Sequence, residues 1–333
     1  MIYRDRIYGK VKIEAPIILE LIKSPSLQRL KGIDQAGYLP LLSRLLGFPY
    51  LKVKHNRFEH SLGVFILLKK FNAPLEEQIA GLIHDVSHPV FSHCIDYALD
   101  EGSEIAHTYQ DNIFEKFVKN SEIPKILNKY RLDVAYILNK NNFPLLEREL
   151  PDLCADRLDY SLRTAFIFRE ADRKKIDYLL NNLIIENNFW IFKNLKAAKI
   201  YAQLFFKMNT IYYAGFPSAI MFRTTGDVIR YTLQKRYLKR EDLFKTDKEI
   251  IAKIKKYLND KTLKLFFKRM QGRVKFKNNP QNYDVHVFCK SRIVDPLFKV
   301  GNNVKRLSEA DKKWAKIVKE ESKPKEYFIK FEK

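Results

Sequence analysis

Seven histidines serve a chain of 333 residues, yet five of them, His55, His60, His84, His88 and His93, lie between positions 55 and 93. The segments joining them are strongly apolar, VFILLKK after His60 and IAGLI before His84. Apolar helices that each bring an imidazole to one end, in quick succession, constrain the fold more than any other feature. Consecutive helices must pack so that their ends meet and feed one site.

The surrounding pattern agrees with a helical core. Residues 16 to 31 predict two short helices broken at Ser24-Pro25, with Ser24 as N-cap. A loop is expected over 36 to 54, where Gly37, Pro40, Gly47 and Pro49 interrupt an aperiodic apolar stretch. Helices are expected from Glu59 to Phe71, over LEEQIAGLIHD, from Pro89 through PVFSHCIDYAL, around His107 to Phe117, and from Leu153 to Phe168. A long helical stretch then reaches Leu238, interrupted near Gly215-Phe216-Pro217, and lysine-rich amphipathic helices follow over 241 to 270. From Arg273 the alternation in RVKFKN and YDVHVFCKSRIV signals strands, with a helix near 308 to 320 and the strand-like YFIKFE closing the chain. The expected fold is mainly α: a helical core over 1–240 and a smaller α+β region, 241–333, packed on it.

Composition narrows the class. The chain is 46% apolar with only 11 Gly and 13 Pro, which fits a folded, helix-leaning protein. Its three cysteines, Cys94, Cys154 and Cys289, form no C-x-x-C pair, so neither a disulfide framework nor a zinc ribbon is indicated, and a reducing compartment is favoured. The charged start MIYRDRIYGK and the shortness of every apolar run predict a cytoplasmic protein without a signal peptide or membrane span. Lys and Arg number 61 against 39 Asp and Glu, a net charge of +22. Such a surface attracts polyanions, nucleotides and nucleic acid among them.

Chemistry concentrates at the helix ends. Adjacent His84 and Asp85 point about 100° apart on a helix and reach one ion most easily where the helix stops, here at Ser87-His88-Pro89. His60 from the preceding helix and Asp156 from a distant one complete a mixed imidazole–carboxylate set. Such a set suits one divalent ion, Mn, Fe, Zn, Ni or Co, with Mg an alternative; softness alone does not choose. Open positions on the ion would hold water, lower its pKa and polarise a phosphoryl oxygen. His93 and Asp96 stand at i and i+3, so the carboxylate is expected to fix the imidazole tautomer and raise its pKa for proton delivery.

The motifs RDRIYG, IKSPSLQRLKGIDQAG, HNRFEHSLGV, AGLIHDVSHPVFSHCID and ADRLDYSLR resemble those of the HD-domain metal phosphohydrolases, in particular the branch of dNTP triphosphohydrolases. The resemblance runs from about Asp5 to Phe168, with weaker echoes around NYDVHVFCK. It implies that His60, His84, Asp85 and Asp156 are the metal ligands and that Arg57, His88, Arg157 and Tyr160 meet the polyphosphate. It also implies that His93, with Asp96, handles the leaving-group proton, that His107 assists, and that Gln35 recognises the sugar 3′-hydroxyl. Two positions depart from the branch: Thr164 replaces an aspartate beside the sugar, and Thr108 replaces a glutamate after His107. The activator-nucleotide site of the vertebrate members does not carry over, because Lys23 and Arg4 replace its aspartate and asparagine.

The implied reaction is metal-dependent hydrolysis of a dNTP to deoxynucleoside and triphosphate, with a further Mg accompanying the nucleotide and a homo-oligomer as working form. A phosphodiesterase or phosphomonoesterase on the same scaffold is the alternative. A third reading is a basic nucleic-acid-binding module, for which KLFFKRMQGRVKFK, 264 to 277, offers interleaved basic and aromatic residues. His55, by contrast, is expected to be a loop or supporting residue, and Asp159 with Arg163 a structural pair behind Asp156.

Overall fold

The computed structural model describes residues 1–37 and 55–332, so most of the expected 36–54 loop lies outside the described residues. The chain opens with a hairpin, β1 (Ile2–Asp5) and β2 (Gly9–Lys12). Its turn is tied by Asp5, whose Oδ1 accepts from the backbone N–H of Ile7 at 2.7 Å and of Tyr8 at 3.0 Å. Helices α1 (Pro16–Lys23) and α2 (Pro25–Arg29) follow, divided as expected where the Ser24 hydroxyl accepts from Leu27 N–H.

Helix α3 (Arg57–Lys70) is the centre of the molecule. From Val64 to Leu68 no residue exceeds 2% exposure, because the helix is apolar all round and is enclosed by neighbours on every side. Two of these neighbours are α4 (Leu75–Ile83) and α8, described below. Next come α5 (Tyr109–Lys119), α6 (Ile123–Lys129) and α7 (Val134–Leu138), then α8 (Ala155–Ile167) and α9 (Arg173–Asn181). Gly63 lets α3 and α8 close up: a Cβ there would lie 2.0 Å from Arg163 Nη2 and 2.1 Å from Asp159 Oδ1.

The segment after Pro89 is not the α-helix expected from its sequence. Phe91 and Ser92 take left-handed backbone angles, φ +58° and +49°, and only then does a 3-10 turn run from Ser92 to Tyr97. Left-handed backbone costs a non-glycine residue about 1–2 kcal/mol. Here Phe91 N–H is held by Asp247 Oδ1 at 2.8 Å, and Ser92 Oγ donates to Asp34 O at 2.6 Å. Three residues make one turn of a 3-10 helix, which eclipses His93 and Asp96.

A hairpin, β3 (Leu183–Glu186) and β4 (Phe189–Phe192), precedes α10 (Leu195–Met208), a π turn over 209–213, and α11 (Phe216–Gln234). Helices α12 (Asp247–Lys255) and α13 (Lys261–Met270) match the lysine-rich stretch. On α13 Phe267 and Met270 are buried, so the apolar residues of 264–270 mostly face inward. The rest comprises β5 (Phe276–Asn278), β6 (Val285–Cys289), β7 (Leu297–Val300), β8 (Asn303–Arg306), α14 (Leu307–Ala310), α15 (Lys312–Glu321) and β9 (Lys325–Phe331).

Strand β9 lies between β5 and β6, while β7 pairs in parallel with β4, Ile191 opposite Leu297, and so extends the sheet begun by β3 and β4. One hydrophobic cluster runs from Ile7 through Leu68 and Phe205 to Ile254, Val287 and Phe331, so the tail shares the core of the helices before it. The fold is mainly α, a helical core with a smaller strand-containing C-terminal region. Among the described residues no helix is long and apolar enough to cross a membrane.

Candidate active site

The end of α4, the first turn of α8 and the buried start of α3 meet at one point. His60 Nε2 lies 2.8 Å from Asp156 Oδ1 and 3.2 Å from His84 Nε2, and His84 Nε2 lies 3.4 Å from the same carboxylate oxygen. Asp85 reaches both imidazoles, at 3.7 Å from His60 and 3.5 Å from His84. All four residues expected as metal ligands are therefore adjacent.

The other ring nitrogens show what this cluster is built to hold. His60 Nδ1 pairs with Asp159 Oδ2 at 2.8 Å, and His84 Nδ1 with Gly81 O at 2.8 Å. Both Nδ1 atoms must carry the proton, because each faces only an acceptor. In the neutral rings the two Nε2 lone pairs then confront each other beside carboxylates, an arrangement that only a cation or an added proton relieves. Outer hydrogen bonds that fix the ligand tautomer are the usual support of a metal-binding histidine. Burial opposes protonation of His84, but Asp85 and Asp156 outweigh it and lift its pKa to about 9. Burial likewise disfavours charge on Asp156, yet hydrogen bonds from His60 and His84 hold its carboxyl well below the usual range. The donor set fits a divalent cation of the imidazole–carboxylate class.

Asp159 and Arg163, expected as a structural pair, are the foundation of the site. Arg163 is wholly buried and grips Asp159 through Nε at 2.9 Å and Nη2 at 2.8 Å, with Asp5 Oδ2 3.0 Å from Nη2. Tyr8 donates its hydroxyl to Asp159 Oδ1 at 2.8 Å. Burial works against the Asp159 anion, but Arg163 and His60 keep its pKa at about 2. The N-terminal RDRIYG motif thus acts on the ligands through Asp5 and Tyr8.

A cavity of about 720 Å³ opens over the cluster. His88, His93, His107, Gln35, Arg57, Arg157 and Tyr160 line it, so the structure brings every sequence-predicted substrate residue to its wall. Arg57 is no surface residue: it is 4% exposed, bonded through Nη1 to Asp85 at 2.8 Å and through Nε to Ser92 Oγ at 3.0 Å. Arg157 is buried as well. It donates to Asp152 O at 2.6 Å and Arg148 O at 3.2 Å, which pins the segment before α8. Among the described residues, Gln35 Oε1 and His88 Nδ1 are buried without a hydrogen-bond partner. His55 is buried as well, its Nε2 3.1 Å from Thr164 Oγ1, and it supports the wall where Thr164 stands.

His93 Nδ1 meets Asp96 Oδ2 at 3.2 Å, as the spacing predicts. The expected rise in its pKa is overturned: burial, His88 and Arg57 push it well below the ordinary histidine value. Asp96 spends Oδ1 on the Tyr109 N–H at 3.0 Å, and Arg292, which the sequence reading missed, adds positive charge nearby. His107 is not on a helix; it sits at φ +53°, two residues before α5, with its ring stacked 4.6 Å from that of His93.

The cavity also receives Lys290 and Arg292 from the chain after β6. Nothing in their sequence spacing relative to the histidines marks them. The one available signal was the faint motif echo at NYDVHVFCK, which ends on Lys290.

With this geometry in place, the relatives become informative. The HD domain profile matches residues 57–173, the stretch that holds His60, His84, Asp85 and Asp156. The uncharacterized protein YdhJ of Bacillus subtilis is 34% identical over 293 residues, 88% of this chain and 86% of YdhJ. The chain belongs to the HD-domain family. Metal-dependent phosphohydrolase cns2 of Cordyceps militaris is 39% identical over 183 residues, 55% of this chain and 50% of cns2. The deoxynucleoside triphosphate triphosphohydrolase SAMHD1 of Gallus gallus is 28% identical over 236 residues, 60% of this chain and 36% of that protein. The HD domain alone supplies the ligand cluster, whereas Lys290 and Arg292 lie beyond residue 173.

Proposed function

We propose that the protein is an HD-type metal-dependent phosphohydrolase whose substrate is a nucleotide, in first place a dNTP cleaved to deoxynucleoside and triphosphate. The observation that carries the reading is the pair of facing Nε2 atoms of His60 and His84 at 3.2 Å beside Asp156, at the foot of a large cavity. When bound, a divalent ion supplies Lewis acidity and a water of lowered pKa. His60, His84, Asp85 and Asp156 would hold it.

The chain's own residues supply the rest. Hydrolysis forms a bond from water oxygen to phosphorus, breaks the bond to the ester oxygen, and requires a proton at that oxygen. His93 is held by Asp96 through Nδ1 and lines the cavity. Burial is the main force that keeps His93 neutral, and an entering phosphate opposes it by offsetting the positive field of Arg57 and Arg292, which favours a proton on His93. Gln35 and His88 keep buried polar atoms ready for a ligand. The dNTP choice draws on the SAMHD1 likeness and on the shared HD motifs.

Thr164 favours a second reading. Bound to His55, it puts a hydroxyl where the dNTP branch has a carboxylate, so other phosphoesters compete as substrates. Incubation of Mn²⁺-loaded protein with dNTPs, NTPs, nucleoside monophosphates and cyclic nucleotides, followed by chromatography, separates the two. Deoxynucleoside plus triphosphate is the expected product; release from a monophosphate or cyclic nucleotide alone favours the second reading. No product from any substrate, with His93→Ala unchanged, would sink both.

A further inference from the structure

The two arginines expected to clamp phosphate are already committed within the protein, Arg57 to Asp85 and Arg157 to the carbonyls of Arg148 and Asp152. Lys290 and Arg292 differ. Both are half-buried in the cavity wall, and among the described residues neither is ion-paired with a carboxylate. Lys290 Nζ donates to Ala106 O at 2.7 Å, and Arg292 Nη1 donates to Lys290 O at 3.3 Å. Arg292 Nη2 lies 3.4 Å from His107 Nδ1.

The contacts of His107 are consistent with one orientation. Guanidinium only donates, so Nδ1 accepts and the ring proton sits on Nε2, directed at the Tyr97 hydroxyl 3.3 Å away. Tyr97 passes its own proton to Phe288 O at 2.7 Å, and Phe288 is in β6, just before Lys290. Burial and the His93 ring keep His107 neutral, as this chain of bonds requires. His107 is therefore a positioning residue that aims Arg292 rather than a proton donor.

Two cations fixed by neutral acceptors, with Asp111 and Glu147 acting on Lys290 across the cavity but no carboxylate paired to either among the described residues, are placed to receive an anion. We propose that Lys290 and Arg292 form an anion subsite for the substrate phosphates beyond the one attacked, so that the protein selects polyphosphorylated substrates over monophosphates and cyclic esters. The inference rests on the phosphohydrolase reading only for which phosphate is attacked.

Calorimetric titration of the full chain, metal-loaded and metal-stripped, with inorganic tripolyphosphate and with orthophosphate tests it. Wild type should bind tripolyphosphate at least about tenfold more tightly than orthophosphate. Lys290→Met with Arg292→Gln should erase that preference, while the charge-conserving exchange Lys290→Arg with Arg292→Lys should retain most of it. His107→Ala should weaken tripolyphosphate binding, which a merely structural histidine with an unchanged Tm would not do. A double variant that keeps the wild-type preference overturns the subsite, as does a wild type without one. Should the double variant not fold, Lys290→Met alone decides by the same ratio. A preference that disappears on substitution in a protein that hydrolyses no phosphoester leaves the subsite standing and removes the phosphohydrolase reading. Hydrolysis with the preference untouched does the reverse.

Discussion

The floor and the C-terminal wall of the cavity are built on opposite plans. At the floor, His60, His84, Asp85 and Asp156 are backed by buried partners with compensating charge: Asp159, Arg163 and Asp5 on one side, Arg57 on the other. At the wall, Lys290 and Arg292 are held by a carbonyl and a neutral imidazole and, among the described residues, pair with no carboxylate. The floor presents a braced imidazole–carboxylate group that could hold a cation at low reorganisation cost. The wall is arranged to meet an anion that comes and goes.

The largest effect should come from emptying the floor. Asp156→Ala or His84→Ala should abolish stoichiometric divalent metal in elemental analysis and lower turnover by about 10³-fold or more, because the ion contributes several kcal/mol. Chelation should do the same to the wild type, with rescue by added Mn²⁺; rescue of Asp156→Ala to full activity would contradict the ligand assignment.

Loss of proton transfer comes next. His93→Gln should lower kcat by about 10²-fold while metal content stays unchanged. Coincident loss of metal and activity would move His93 into the floor. The support of the floor should then show in affinity: Asp159→Asn removes the fixed acceptor of His60 Nδ1 and should weaken metal binding by about 10–100-fold, measured by competition with a chelating dye.

Gly63→Ala tests the packing that brings the floor together. A methyl group there cannot avoid Arg163 and Asp159, so thermal unfolding should reveal a loss of about 1–3 kcal/mol. The smallest change belongs to the wall. Tyr97→Phe breaks the bond to Phe288 O and releases His107, costing about 1 kcal/mol and raising KM for a triphosphate several-fold with kcat nearly constant. An equal effect on kcat would mean that the wall takes part in the chemistry itself.

The difference between floor and wall also explains what could be read in the chain. Candidate ligand residues at helix ends leave a local signature, so the meeting of HNRFEH, HD and the aspartate of ADRLDY was legible, as was the contact of His93 with Asp96. The burial of Arg57 and Arg157 was not, because an arginine beside a carboxylate has the same spacing whether solvent or protein surrounds it. The segment after Pro89 misled for a related reason. Its apolar spacing suits a helix, and only the bonds from Asp247 and Asp34 hold Phe91 and Ser92 in left-handed angles.

Sequence alone determined the helical class, the candidate ligand residues and the order in which the helices deliver them. These follow from residue type and short-range spacing, which helix geometry converts directly into placement. Tertiary structure decided the rest: that Asp5 and Tyr8 of the first hairpin brace His60 through Asp159, and that the last third of the chain returns to the cavity with Lys290 and Arg292. Neither pairing has a period to betray it. Each depends on a shared core that forms only when distant segments bury their apolar faces together.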